Sequence, residues 1–285
     1  MEVQNDGTFR LRNFVRGCAR YRWMVAAIFF VSVLAALLVA FLTTPVYRGH
    51  VLMMPAKQAT QPSLADLAGP LGGLTAQLGL GRAPADDLQE GLATLTSRAF
   101  IYAFIEDRQL LPVLFDDRWD SAKSQWSVED PDEIPTLADG YERFDSIMKV
   151  SQSLETGLID LDIEWSDPQL AADWANALVE RVNRELRERA IADAQRGMQF
   201  LNEQLNQTSI VEVRSAIFSL IESNIQTVML ANVRPEYAFN IIDPAVPPED
   251  YVRPKRLLLL AIGVVFGAFA AGIAVMLRLS ATATQ

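Results

Sequence analysis

The chain has 285 residues, half of them hydrophobic, with 35 acidic against 25 basic side chains and a net charge of −10. One cysteine and one histidine exclude a disulfide framework and a thiolate zinc site, and they leave little room for histidine-based catalysis. The acidic balance argues against nucleic acid as a partner.

In chain order, the first signal is a head bearing Arg10, Arg12, Arg16, Arg20 and Arg22 against Glu2 and Asp6. An apolar run, Trp23–Leu42, follows it, broken only by Ser32. A second run, Leu257–Leu277, carries no ionisable residue and is followed by Arg278. Each run matches the ~20 residues that cross a ~30 Å hydrocarbon core. The first run exceeds the ~7–15 residues of a signal-peptide core and lacks an Ala-x-Ala site, so it is expected to be a retained anchor. Basic residues flank the cytoplasmic ends of spans, which puts both termini in the cytoplasm and residues 43–256 outside. Arg253, Lys255 and Arg256 run against that rule, and snorkelling to headgroups accounts for them. Cys18 then lies inside. With the five head arginines, Arg278, Glu2 and Asp6 set aside, the external region holds 19 Lys and Arg against 33 Asp and Glu, a net of −14. The expected segments are a cytoplasmic 1–22, spans at 23–42 and 257–277, an oligomerising external domain at 43–256 and a cytoplasmic tail at 278–285.

The external region opens on a β-leaning run, Val46–Met54. Residues 55–90, with Gly69, Pro70, Gly72, Gly73, Gly79 and Gly81, predict a mobile loop and lack the spacing of a phosphate-binding glycine motif. Leu92, Leu95, Ala99, Tyr102 and Ile105 give a helical period over Leu88–Leu110. The prolines and acids of 112–140 predict irregular chain. A hairpin is expected next, Phe144–Ser153 and Leu158–Trp165 around Glu155-Thr156-Gly157. In its second strand Asp160, Asp162 and Glu164 alternate with apolar residues; this stripe reads as the wet face of a sheet or, alternatively, as a divalent-metal site.

Asp167-Pro168 is a helix start, and Leu170, Trp174, Leu178, Val182 and Leu186 carry one apolar stripe on towards Asn206. So long a helix needs a partner, within the chain or on another subunit, and its length favours the subunit. Ser209-x-x-Glu212 reads as a capping box for a helix over 210–231. Ala238–Ile242 is the last expected strand, paired with Val46–Met54. Pro244, Pro247, Pro248 and Pro254 then form a stiff connector. Within the second span, Gly263, Gly267 and Ala271 place small residues on one face, the pattern of close helix–helix packing or partner contact. The expected fold is α+β, a membrane-proximal mixed sheet plus a long extended helix flanked by two transmembrane helices.

No catalytic, cofactor-binding or metal-binding residues are assigned. HExxH and GxSxG are absent, and His50 is the only histidine.

Several segments resemble the Wzz-type polysaccharide co-polymerases, the O-antigen chain-length determinant family. They are Met229-Leu230-Ala231-Asn232, Tyr237 through Pro248, Pro254-Lys255, Thr44-Pro45-Val46-Tyr47-Arg48, and Asp167-Pro168 with Ala171 through Asn176. The resemblance covers both ends and the second half; residues 55–140 follow it mainly in order and composition. It implies a bacterial inner-membrane protein with a periplasmic domain that forms a homo-oligomer. It also implies regulation of the modal chain length of lipopolysaccharide O-antigen or a related glycan, beside the membrane polysaccharide polymerase and the growing lipid-linked glycan, with no enzymatic activity and no cofactor. A capsule or exopolysaccharide export adaptor shares this topology. A periplasmic sensor does too, although the head and tail leave it no output domain.

Overall fold

The computed structural model describes residues 22–56, 84–128 and 130–282. The head with Cys18 and most of the glycine-rich stretch fall outside them. The chain divides into two compact units, one drawn from residues 1–47 and 249–285 and the other from Arg48–Pro248.

The first unit is a pair of helices, α1 (Arg22–Leu42) and a C-terminal helix over Arg256–Thr282. Within them Trp23–Leu42 and Arg256–Ala274 are long and apolar enough to cross a membrane. The segments entering and leaving the pair are tied by backbone bonds: Val46 N–H donates to Arg253 O at 2.9 Å and Val252 N–H to Val46 O at 2.8 Å. The Arg253–Pro254 peptide is cis.

The second unit begins in β1 (Tyr47–Pro55). Where one helix was expected over Leu88–Leu110, two stand: α2 (Pro84–Leu95) and α3 (Arg98–Asp107). Ser97 makes the break. It takes extended backbone, and its hydroxyl accepts from Phe100 N–H, so it caps α3 rather than continuing α2. α2 also starts six residues before the glycine-rich stretch was expected to end.

Residues 111–147 are more ordered than their prolines suggest. A single turn, α4 (Leu111–Leu114), is followed by a two-residue hairpin, β2 (Trp119–Asp120) with β3 (Gln125–Trp126), closed by an edge-on Trp119–Trp126 contact at 4.9 Å. Helix α5 (Leu137–Ile147) replaces the first half of the expected strand Phe144–Ser153. Its start is a capping box: Thr136 N–H and Oγ1 both donate to Asp139 Oδ2 at 2.7 Å, and Asp139 N–H donates back to Thr136 Oγ1. Those bonds from Thr136, the backbone one foremost, hold the Asp139 carboxyl below the ordinary carboxylate range.

The hairpin proper is β4 (Met148–Gln152) against β5 (Ile159–Trp165), antiparallel with Val150 opposite Leu161; Gly157 turns it with φ +71°. β6 (Phe239–Asp243) pairs antiparallel with β1, Met53 opposite Ile241, as the sequence implied. The four strands form one sheet in the order β4-β5-β1-β6.

Helix α6 (Pro168–Gln207) runs 40 residues, about 60 Å at ~1.5 Å per residue. Asp167 caps it, accepting from Gln169 and Leu170 N–H. Its first half supplies Trp174, Leu178, Val182 and Leu186 to the core, with Phe104, Phe144, Ile159, Leu161 and Ile163. Trp174 packs 5.2 Å from Trp165 and 6.0 Å from Phe144 between ring centres. The second half pairs with α7 (Val211–Val233). The expected capping box at Ser209 is absent. Ile210 is the cap residue and contributes no side-chain bond, while Arg214 Nη1 reaches back to the carbonyls of Leu205 and Thr208. A guanidinium on the last carbonyls of α6 secures this corner.

The acidic stripe of β5 lies on a partly exposed face laced with cross-strand pairs: the Asp160 side chain is 36% exposed beside His50, and that of Asp162 18% beside Arg48. Glu164 is 5% exposed and accepts from Arg48 Nη2 at 2.8 Å and Lys149 Nζ at 3.2 Å, while Asp162 meets His50 Nδ1 at 2.7 Å and Arg48 at 3.5 Å. The strands on both sides of β5 thus each bring a cation to Glu164. Among the described residues no three His, Cys, Asp or Glu converge as a metal set. Glu164→Gln should cost about 1–2 kcal/mol, discounted because Arg48 and Lys149 are half-exposed, and thermal melts should show the deficit shrinking at high salt. Equal deficits at low and high salt would assign Glu164 a packing role instead.

Candidate functional site in the paired spans and the junction

The C-terminal helix of the first unit, α8 (Arg256–Thr282), carries Gly263, Gly267 and Ala271; Gly263 and Gly267 face α1 of the same chain, and Ala271 is buried. A Cβ on Gly263 would stand 2.5 Å from Ala36 Cβ; one on Gly267 would stand 3.0 Å from Ser32 Cβ and 3.3 Å from Phe29. Such spacing lets the two backbones approach closely, the usual basis of helix pairing in lipid. Ser32, the one polar residue of Trp23–Leu42, donates through Oγ to Gly263 O at 3.0 Å, so its hydroxyl has a partner within the helix pair. The small-residue face is thus used within one chain.

Beside this seam runs an apolar groove of about 670 Å³, bounded by Val31, Ala35 and Val39 of α1 and by Leu259, Ile262 and Phe266 of α8. Arg256 sits at the end of α8 where Phe41 also lies. Its guanidinium carbon is 5.1 Å from the Phe41 ring centre and 4.7 Å from that of Tyr251.

The prolines of the junction lie mostly at the surface. Pro244 and Pro247 are exposed, Pro248 and Pro254 half-buried. What holds the segment is Ala245 between them, buried and bonded twice by Asn176: Ala245 N–H donates to Asn176 Oδ1 at 2.9 Å and Asn176 Nδ2 donates to Ala245 O at 2.8 Å. One heptad further along α6, Asn183 repeats the device on β6. Its Oδ1 accepts from Ala238 and Phe239 N–H, each at 2.8 Å, and its Nδ2 donates to Phe239 O at 2.8 Å. β6 is a sheet edge, and Asn183 satisfies the backbone groups that would otherwise be left unpaired there.

Sequence reasoning assigned the junction to its prolines and passed over Asn183. The available signal was an amide placed seven residues from Asn176 among the apolar positions of a helix, where a polar residue needs a partner. Gly49 was also missed. A Cβ there would lie 2.2 Å from Ala171 O, because β1 crosses the backbone of α6 at contact distance.

Residues 200–280 match the GNVR family. Its description reads "G-rich domain on putative tyrosine kinase". The match takes in the end of α6, α7, β6, the junction and most of α8, the same residues that carry the co-polymerase resemblance at Met229–Pro248. No curated protein matches the chain. Among solved structures, a full-length bacterial polysaccharide co-polymerase is 12% identical, covering 94% of this chain and 97% of its own, with a TM-score of 0.44. A fragment of WzzB, the polysaccharide co-polymerase from Salmonella Typhimurium, is 12% identical over 73% of this chain and all of its own, with a TM-score of 0.33.

Proposed function

We propose that this chain is a Wzz-type polysaccharide co-polymerase: a non-enzymatic, homo-oligomeric scaffold in the bacterial inner membrane that sets the modal length of a surface glycan of O-antigen type beside the membrane polymerase. The observation that carries the reading is the GNVR match over residues 200–280, which falls on the segment where a long helical hairpin returns through an anchored junction into a membrane-length helix. Two membrane-length helices close on each other through a glycine seam, so one chain supplies a self-contained anchor.

Support for self-association comes from α7. Val211, Phe218, Ile225, Met229 and Val233 of α7 and Phe200 of α6 are exposed, and a contiguous apolar surface of that kind marks a contact site. Since Gly263 and Gly267 already pack on α1, subunit contact in this account belongs to α7 rather than to the second span.

Gel electrophoresis of surface glycans from a strain lacking the gene tests the reading. Loss of modal length with polymerisation intact is the expected result; loss of all surface glycan would indicate an export adaptor, and an unchanged ladder a sensor. Gly263→Leu forces Ala36 away from α8 and should broaden the ladder at normal protein level. An unchanged ladder would remove the seam from the mechanism.

A further inference from the structure

We infer that the Arg256 end of the paired spans is a binding site for an anionic phospholipid, with Arg256 holding the phosphate and the groove between α1 and α8 taking one hydrocarbon chain.

Three observations meet there. Arg256 is positioned by two aromatic rings, Phe41 from α1 and Tyr251 from the segment leading into α8. Ring contact uses the face of a guanidinium and leaves its in-plane N–H edge for an acceptor, the arrangement that suits phosphate. Among the described residues Arg256 forms no ion pair, and its Nε is buried there without a hydrogen-bond partner. An arginine set beside two rings with no ion-pair partner among the described residues is open to an anion from outside the chain.

The second observation is charge. Lys255 is exposed beside Arg256, also without an ion pair among the described residues, and Arg253 is exposed two residues earlier. Glu249 and Asp250 precede Tyr251, and neither pairs with Lys255 or Arg256. Simple snorkelling accounts for basic residues at a headgroup layer, but it does not account for a guanidinium held within about 5 Å of two ring centres.

Third, the groove continues from the arginine. Arg256, Leu259, Gly263, Phe266 and Ala270 recur at three- and four-residue steps, so the cation heads the stripe of α8 that lines the groove. The lining is hydrocarbon apart from Ser32, and the Ser32 hydroxyl is already given to Gly263 O. A polar ligand finds no partner along it, whereas an acyl chain does. Basic pockets between membrane helices bind anionic headgroups on cytoplasmic faces, and the same chemistry stands here at the opposite end of the pair. The groove is what selects a lipid over free phosphate.

This inference stands apart from glycan-length control, and its test does not use a glycan. The full chain is purified in dodecyl maltoside, and dioleoyl phosphatidylglycerol is titrated in and followed by native mass spectrometry. One retained lipid per chain is expected. Arg256→Gln should weaken retention about tenfold or more at unchanged melting temperature, since a charge-assisted bond is lost. Arg256→Lys should fall between, keeping the charge without the planar edge. Two measurements on the unaltered chain keep the test decisive should the variant not fold: dioleoyl phosphatidylcholine, whose choline meets Lys255, should bind more weakly, and millimolar inorganic phosphate should not displace phosphatidylglycerol. Equal retention by Arg256→Gln, equal retention of both lipids, or displacement by phosphate overturns the proposal.

Discussion

Gly49→Ala is expected to be the most damaging single-methyl change in the second unit. The added Cβ would stand 2.2 Å from Ala171 O, 2.4 Å from Ala171 C and 2.7 Å from Ala172 N, all backbone atoms. A flexible side chain can swing aside, but the first turn of α6 cannot: Asp167 caps it, and Ala171 and Ala172 are themselves buried. The strand must therefore move off the helix, opening the core on which Val51 and Met53 pack. Overpacking against backbone should cost about 3 kcal/mol or more. For a unit of this size that is a fall of roughly 6–12 °C in melting temperature. Circular dichroism of the full chain in detergent measures it. A melting temperature within a degree or two of the parent's would show that β1 and α6 do not meet at this distance.

Asn183→Ala is the second large effect. Asn183 is 3% exposed, and truncation leaves Ala238 N–H, Phe239 N–H and Phe239 O unpaired, the last two in a fully buried residue. Each orphaned buried group costs about 1–3 kcal/mol, so roughly 3 kcal/mol in total is a restrained expectation. Asn202→Ala, on the exposed face of the same helix, should change stability by no more than about 0.5 kcal/mol. The effect should also be local. Hydrogen exchange at the amides of 238 and 239 should accelerate far more than at β4 or β5. Uniform acceleration across the sheet would mean that Asn183 supports the unit as a whole and not the edge strand.

Both residues mark the limit of what could be read from the chain alone. Signals confined to a few neighbours were legible. Asp167-Pro168 announces the start of α6, Gly157 the turn between β4 and β5, and two β-leaning segments near the ends of the second unit find each other as β1 and β6. Signals settled by distant partners were not. Asp160, Asp162 and Glu164 alternate in the same way whether or not cations face them, and only the strand order, with β1 on one side and β4 on the other, brings Arg48 and Lys149 onto Glu164. Asn183 owes its role to residues 55 and 56 positions away.

Local signals also competed. Ser209-x-x-Glu212 has the form of a capping box and caps nothing, whereas Thr136 and Asp139 form a real one inside a stretch whose prolines suggested irregular chain. Phe144 fits a strand by its neighbours, yet it sits in α5 because its ring fills the space between Phe104 and Trp174. In the candidate site, the spacing of Gly263, Gly267 and Ala271 predicts close helix packing or partner contact. It could not show that the partner is α1 of the same chain.

The account rests on both termini lying on one side of a membrane and the second unit on the other, and cysteine labelling tests this most directly. Cys18 is the only cysteine, and Leu154, at the turn between β4 and β5, is 98% exposed. With a membrane-impermeant maleimide on intact spheroplasts, Leu154→Cys in a Cys18→Ser background is expected to label at once, and Cys18 of the parent chain only after permeabilisation. Protection of residue 154 until the membrane is opened, or labelling of Cys18 while it is intact, would contradict it.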